Sequence, residues 1–294
     1  MDQSKLSIGI TGSHGFVGSH LTKALGKSGK YDLVPLARKH NNLMDEKSLK
    51  SFVSGRDIIF HIAGANRDTN ANLIRVNVLG TLNLLEAIKH YSEKKVKFIF
   101  VSSIQVYTPS FSNSAIKEED QHFFPDSTFG ISKMTAEKLV CLYNLNSIIF
   151  RVSNIYGPFS KPHYNSVIAT FCYLIANNKT VQINGDGEQG RDFIYISDMV
   201  DALVKAIDYK GANKEVFNIG SGKLTTLNQI IKIIKKLFKI DAKIKYISHR
   251  QEASGCVLTN NEKIHSKLNW EPKVNLENGL KKTYPFFQNY KEIL

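Results

Sequence analysis

The sequence is poor in cysteine and proline, has a single tryptophan, and contains no long apolar run. Its three cysteines, Cys141, Cys172 and Cys256, are odd in number, far apart and never spaced Cys-x-x-Cys. Neither a disulfide framework nor a zinc site is therefore indicated, and a reducing cytoplasmic compartment is expected. No metal is expected, because His14, His61, His122 and His163 show no ligand spacing. No stretch approaches the ~20 apolar residues of a membrane-spanning helix. The apolar segment that follows Met1–Lys5 is too short for a signal-peptide core. Ordinary apolar content, 42% of 294 residues, excludes collagen, coiled coil and wholesale disorder. The length suits one large or two modest domains with a full core.

Acid is scarce relative to base: 39 Lys and Arg face 26 Asp and Glu, a net charge of +13. Residues 201–294 concentrate the excess, with 17 basic against 9 acidic side chains. There, Lys232, Lys235, Lys236 and Lys239 fall opposite Leu227, Ile230, Ile231, Ile234 and Leu237 on one helix. That pattern describes a solvated helix face, and no nucleic-acid recognition module accompanies it. Neither nucleic acid nor membrane is an expected partner; an anionic substrate is compatible.

The first half alternates short β-branched runs with helical stretches. Leu6–Thr11, Asp32–Ala37, Asp57–Ile62, Val96–Ser102 and Ser147–Arg151 read as strands covered on both faces. Val78–His90 and Ser132–Asn144 read as helices between them. This rhythm predicts an α/β fold with a doubly wound parallel sheet. After Gly157-Pro158 the rhythm breaks. Asn165–Asn177, Val200–Tyr209 and 225–239 look helical, Thr180–Ile183 and Val216–Ile219 extended, and Asn184-Gly185-Asp186-Gly187 forms a turn. The expected division is a dinucleotide-binding domain over 1–156, with segments near 192–219 returning to it, and a smaller substrate-binding subdomain over 157–294.

Thr11-Gly12-Ser13-His14-Gly15-Phe16-Val17-Gly18 follows the first strand and opens a helix. Gly12 permits a tight turn, Gly15 lets the backbone approach a pyrophosphate, and Gly18 allows close helix–strand packing. The helix N-terminus adds free N–H groups and a positive dipole end. A dinucleotide site is the expectation. The second strand ends in Leu36-Ala37-Arg38-Lys39-His40, with no acid to accept from the 2′-OH of NAD. Arg38 points to NADP over NAD, unless it is a surface arginine touching nothing. Asn42-Leu43-Met44-Asp45 is placed to approach the adenine edge.

The chain resembles the extended short-chain dehydrogenase/reductases of the NAD(P)-dependent nucleotide-sugar epimerase/dehydratase type, from Ile8 to about Phe286. The resemblance is carried, in order, by Thr11–Gly18, His61-Ile62-Ala63-Gly64, Asn77-Val78-Leu79-Gly80-Thr81, Val101-Ser102-Ser103-Ile104-Gln105-Val106-Tyr107, Arg151-Val152-Ser153-Asn154-Ile155-Tyr156-Gly157-Pro158 and Arg191-Asp192-Phe193-Ile194-Tyr195-Ile196-Ser197-Asp198. Lys161–Asn177 and Ala65-Asn66-Arg67 are similar to capsule-type nucleotide-sugar reductases. A Rossmann domain, a nucleotide-diphosphate-sugar ligand and a homodimer are what this implies. It implies cofactor contacts from Gly12, His14, Gly15, Phe16, Val17, Gly18, Arg38, Asn42, Ala63, Gly64, Asn77 and Lys133.

Hydride exchange with nicotinamide at a sugar carbinol requires a proton to leave or join the oxygen. A phenol beside a lysine suits this, and Tyr-x-x-x-Lys on a helix puts both on one face. A serine on a neighbouring strand holds the reacting oxygen. Ser103 and Lys133 fit two of these roles, but Ser127-Thr128-Phe129-Gly130-Ile131-Ser132-Lys133 places Phe129 at the tyrosine position. A phenyl ring carries no transferable proton, a loss on the order of 10²–10⁴ in rate. Three readings follow. The chain is engineered to hold substrate without turnover; or Tyr107, Tyr156, Tyr164 or His163 supplies the proton; or the chain is a redox-silent binder with Phe129 as core packing.

For the substrate, the resemblance implies contacts from Ser103, Gln105 and Asn154, with Asn165 at a helix N-terminus. Arg191 and Arg250 are candidates to clamp a pyrophosphate through charge-assisted bonds, Arg191 having a surface ion pair with Asp192 as its plain alternative. Gln182 and Ile183 are candidates for the base pocket. Ser103–Val106 carries no carboxylate, which argues against 4,6-dehydration. The expected activity is an NDP-hexose 4-epimerase crippled by Phe129. The alternatives are an NADPH-dependent NDP-4-keto-6-deoxyhexose reductase and a non-enzymatic nucleotide-sugar-binding protein.

Overall fold

The computed structural model describes residues 5–36, 42–109, 114–120, 124–164, 166–211, 213–247 and 256–290. In chain order it runs β1 (Leu6–Thr11), α1 (Phe16–Ser28), β2 (Tyr31–Pro35), α2 (Lys50–Val53), β3 (Ile58–His61), α3 (Asn70–Ile74), α4 (Gly80–Tyr91), β4 (Lys97–Ser103) and β5 (Ala115–Ile116). It continues with α5 (Thr128–Leu142), β6 (Asn146–Val152), β7 (Asn154–Tyr156), α6 (Val167–Ala176), β8 (Val181–Asn184), β9 (Gly190–Tyr195), α7 (Ile196–Asp208) and β10 (Glu215–Ile219). The last elements are β11 (Leu224–Thr226), α8 (Leu227–Phe238), β12 (Ile244–Ile247), β13 (Leu258–Thr259), α9 (Glu262–Leu268) and α10 (Leu276–Gln288).

Six strands form one sheet in the order β10-β6-β4-β3-β1-β2, every pair parallel. Their apolar runs suit this, since both faces are covered. Leu21 and Leu25 of α1 share one core with Met199 and Leu203 of α7. Phe52 of α2, Leu84 and Ile88 of α4, and Ala136 and Val140 of α5 fill a second core, of which Phe98 and Phe100 of β4 are also part. The sheet is thus doubly wound. From β1 the chain crosses to β2 on one side and returns to β3 on the other, so the topological switch lies between β1 and β3. Ligands of such folds bind outside the carboxyl ends of the strands at that point.

The later chain builds three small sheets: β11-β9-β7, β8-β12 and β5-β13. Helix α8 begins with a capping box, Thr226 and Gln229 satisfying each other's backbone N–H, and ends on Lys239 in the left-handed region. Its apolar residues Ile230, Ile231 and Ile234 are buried, while Lys232, Lys236 and Lys239 are exposed and Lys235 pairs with Asp241 at 2.6 Å.

Two helices start earlier than periodicity suggests, and a third starts two residues later. Helix α5 begins at Thr128 because Ser127 caps it, accepting the Gly130 N–H at 3.1 Å. Helix α7 begins at Ile196, directly after β9. Its polar Ser197 and Asp198 obscure the apolar period, but Asp198 faces inward and accepts the N–H groups of Lys273 and Val274. Helix α4 is preceded by α3 and a wide turn, Arg75–Leu79, with π-type bonding.

Candidate active site at the carboxyl ends of the central strands

The glycine loop connects β1 to α1. Gly12 has φ +70°, and a Cβ there would lie 2.7 Å from the Ala63 backbone nitrogen, so only glycine fits between the two loops. A Cβ on Gly18 would stand 2.1 Å from the Gly12 carbonyl oxygen. The third glycine therefore packs helix against loop, a correction to the expected helix–strand contact. Gly15 is the N-cap of α1 and supplies no side-chain cap, which leaves N–H groups of the first turn open to an anion. His14 is exposed, its Nδ1 3.1 Å from Ser13 Oγ; Phe16 and Val17 are half-buried at the start of α1. A loop with a cradle that a Cβ would fill, at an uncapped helix N-terminus, fits a dinucleotide diphosphate.

Beneath the loop runs a buried polar chain. Thr81 Oγ1 donates to the Asn77 carbonyl at 2.6 Å, so it accepts from His61 Nε2 at 2.9 Å. His61 Nδ1 is left as the acceptor for Thr11 Oγ1 at 2.8 Å, and Thr11 accepts the Ile62 and Ala63 N–H groups at 3.1 Å each. His61 is fully buried, and desolvation with the Lys133 charge pushes its pKa down to about 3. It is a neutral spacer joining the ends of β1 and β3.

Asn77 Oδ1 accepts the Ala65 N–H at 2.8 Å; its Nδ2 donates to the Ala65 carbonyl at 3.0 Å and to Ser132 Oγ at 2.9 Å. The Ala63–Ala65 loop is thereby tied to α5. A Cβ on Gly64 would be 3.1 Å from Asn77 Oδ1 and 4.0 Å from Lys133 Nζ. Lys133 is buried, its ammonium 4.3 Å from the Phe100 ring centre, with no hydrogen-bond acceptor among the described residues. Burial pushes its pKa down to about 8, Glu137 one turn later opposing the shift. Glu137 in turn meets Arg151 at 2.8 Å, both buried.

Ser103 ends β4, and its Oγ accepts the Gln105 N–H at 3.1 Å, starting a tight turn at Ile104–Val106. A Cβ on Gly130 would be 2.2 Å from the Gln105 carbonyl oxygen. That contact brings the first turn of α5, carrying Phe129, against the turn after Ser103. Phe129 is half-buried and joins none of the apolar clusters, which corrects its reading as core packing. Ser103, Gln105, Phe129, Lys133, Gly64 and Asn77 thus belong to one neighbourhood.

On the other side, Asn154 Nδ2 donates to the Asp192 carbonyl at 2.9 Å. Asp192 is fully buried and binds Ser221, Gly222 and Thr259, so the expected alternative of an Arg191–Asp192 ion pair is not what forms. Arg191 lies within β9, half-buried, donating to the Gly190 carbonyl at 2.7 Å. A cavity of about 400 Å³ lined by Glu188, Gly190, Leu224, Thr226, Cys256 and Leu258 flanks it. Gln182 is exposed on β8, paired with Lys245 of β12, while Ile183 is buried. Asn42 starts the turn before α2, its Oδ1 accepting the Met44 N–H at 2.9 Å. Arg38, Asn165 and Arg250 lie outside the described residues. A larger cavity, about 720 Å³ and bordered by Lys89, Lys94, Lys95 and Lys97, opens at the amino ends of the strands, the wrong end for a dinucleotide.

Thr11, Thr81, Ser132 and Asp192 are site residues the sequence reading did not single out. Beside local bonds such as Thr81 to the Asn77 carbonyl, each has a partner 20 to 67 residues away, which no local spacing signals.

Residues 8–220 match the NAD dependent epimerase/dehydratase family. The chain belongs to that family. A UDP-N-acetyl-alpha-D-glucosaminuronate decarboxylase of Bacillus cytotoxicus is 30% identical, over 95% of this chain and 97% of its own. UDP-glucose 4-epimerase of Thermotoga maritima, solved with UDP-glucose, is 30% identical over 96% of this chain and 99% of its own, with a TM-score of 0.83. UDP-glucuronic acid 4-epimerase of Bacillus cereus, solved with UDP-glucuronic acid and NAD, is 26% identical over 96% and 99%, TM-score 0.84. Other relatives in this NAD(P)-using family include nucleotide-sugar dehydratases and a trifunctional dehydratase/epimerase/reductase. The Rossmann-type α/β fold read from the sequence is the fold of these epimerases. No helix among the described residues is long and apolar enough to cross a membrane.

Proposed function

We propose that this chain exchanges hydride at C4 of a nucleoside-diphosphate hexose, as an NDP-hexose 4-epimerase passing through a 4-keto sugar. The observation that carries this is Lys133: a buried ammonium beside Gly64, without an acceptor among the described residues, at the end of the sheet where the glycine loop opens. A group kept there against its desolvation cost is one that a ligand completes. A bound nicotinamide dinucleotide would supply a hydride acceptor and donor for C4. Lys133 holds the nicotinamide ribose, Ser103 the reacting oxygen, and Gly12, Gly15 and Gly18 the cofactor diphosphate. Asn154 and Arg191 approach the sugar-nucleotide phosphates, with Asn165 and Arg250 as further ligands, and Gln182 borders the base. Arg38 tilts cofactor choice toward NADP over NAD. Phe129 contributes no proton.

We also propose that the chain works as a homodimer through the outer face of α5, where Ile131 and Leu142 stand exposed eleven residues apart.

Incubation with UDP-glucose and NAD, followed by NMR of the C4 configuration, tests the assignment, with Phe129→Tyr in parallel. Epimerisation without net cofactor consumption is the expected result for Phe129→Tyr. Stoichiometric NADPH oxidation with UDP-4-keto-6-deoxyglucose would instead make the chain a reductase. Binding without turnover by either form would leave a nucleotide-sugar-binding protein.

A further inference from the structure

Hydride exchange at C4 needs a group that takes and returns the hydroxyl proton, and Phe129 has none to offer. Tyr107, Tyr156, His163 and Tyr164 are the candidates that the sequence offers for it. Tyr107 is locked away: its Oη donates to Asn218 Oδ1 at 2.8 Å and accepts from Arg151 Nη1 at 2.7 Å, and burial pushes its pKa up to about 12. Tyr156 is core, edge-on to Tyr195, and desolvation raises its pKa far above the usual phenol range. His163 turns its ring edge-on to Tyr173.

Tyr164 differs from the two buried tyrosines in its exposure and from His163, which is also exposed, in the contact its side chain makes with Asn66. It is 37% exposed, and its phenol oxygen accepts the Asn66 N–H at 3.3 Å. Its own proton has no acceptor among the described residues. Asn66 directly follows Ala65, whose N–H and carbonyl are both held by Asn77, and lies two residues from Gly64 beside Lys133. Two residues span at most about 7 Å of backbone, so the phenol touches the same short loop that Asn77 holds and that passes Lys133 at Gly64.

The segment carrying Tyr164 is held in costly geometry. Phe159 and His163 have φ of +68° and +61°, and a non-glycine residue there costs about 1–2 kcal/mol. Two clamps keep it so. His20 Nε2, from the helix behind the glycine loop, lies 3.1 Å from the Pro158 carbonyl, and Arg67 Nη1 donates to the His163 carbonyl at 2.9 Å. Strain fixed from both ends presets where Tyr164 stands.

We propose that Tyr164 is the proton-transferring residue of this chain, replacing the phenol missing at position 129; this rests on the C4 reading above. In oxidation Tyr164 Oη, having released its own proton to solvent, would take the C4 hydroxyl proton while the C4 hydride left to a bound nicotinamide dinucleotide and the C4–O bond became a carbonyl. On return, hydride adds to C4 and Tyr164 gives its proton to the carbonyl oxygen. The Asn66 N–H stabilises negative charge as it develops on the phenol oxygen.

The test compares the unaltered chain with Tyr164→Phe, Phe129→Tyr and the double variant, each with UDP-glucose plus NAD and with UDP-4-keto-6-deoxyglucose plus NADPH. Circular dichroism and melting curves check folding, and calorimetry measures UDP-glucose binding. The expected result is a fall of about 10²-fold or more in kcat for Tyr164→Phe, UDP-glucose affinity held within about threefold, and turnover regained in the double variant. Unchanged kcat in Tyr164→Phe overturns the proposal, as does a loss explained by weakened binding or unfolding that the double variant shares. Activity in Phe129→Tyr with an inert unaltered chain overturns Tyr164 while sparing the C4 reading. Four inert forms overturn both.

Discussion

Asn77 and Ser132, 55 residues apart in sequence, are joined by a 2.9 Å hydrogen bond from Nδ2 to Oγ. The same amide holds both backbone groups of Ala65. Asn77→Ala strands the Ala65 N–H and carbonyl in a buried position, a cost of roughly 1–3 kcal/mol. A urea midpoint lowered accordingly is expected, together with weaker dinucleotide binding by calorimetry. Ser132→Ala, which leaves Ala65 satisfied, should cost less.

Lys133 has opposite effects on stability and function. Its folded pKa, about 8, lies below the usual lysine value of 10.5. The folded chain therefore binds fewer protons than the unfolded one between those values, and stability rises as pH climbs from about 8 to 10.5. Below 8 the penalty is present in full. Lys133→Met should raise the melting temperature at pH 7, by on the order of 1–3 kcal/mol of stability, and remove the alkaline gain. The same variant should lose turnover. A lower melting temperature at pH 7 would count against an uncompensated ammonium.

His61 sets an acid limit. Its folded pKa is about 3, against 6.5 for an ordinary histidine, so the unfolded chain binds an extra proton as pH falls through that window. Stability attributable to this group is intact above 6.5 and declines below it by about 1.4 kcal/mol per pH unit. Denaturant titrations of His61→Gln between pH 6.5 and 4 should lack that share of the slope.

Two glycines of α1 give a paired test. Gly18→Ala drives a methyl into the Gly12 carbonyl and should abolish dinucleotide binding. Gly26→Ala, whose Cβ would meet only Leu33 Cδ1 at 3.9 Å, should leave binding alone and gain about 0.5–1 kcal/mol in thermal unfolding.

The Glu137–Arg151 pair gives a fifth. Arg151→Met leaves a buried carboxylate uncompensated and should cost about 3–5 kcal/mol, while adding Glu137→Leu should recover much of it. Chemical denaturation of the single and double variants decides.

The strands were legible because a parallel sheet covered on both faces demands unbroken apolar runs, and β1 spans Leu6–Thr11 as read. The glycine loop was legible because a backbone that must touch another backbone tolerates only glycine. Helix starts at Thr128 and Ile196 were not, because caps and buried acids such as Asp198 interrupt the apolar period.

Sequence alone determined the six strands of the central sheet, the glycine loop after the first of them and the phenylalanine at position 129. Those are local properties, written in neighbouring residues and in the periods of helix and strand. Tertiary structure alone decided that His61 is a neutral spacer, that Asp192 faces inward away from Arg191, and that Tyr164 meets Asn66 across 98 residues. Such contacts depend on which strand ends the crossovers bring together and on burial, which sets charge states; no short stretch of chain encodes either.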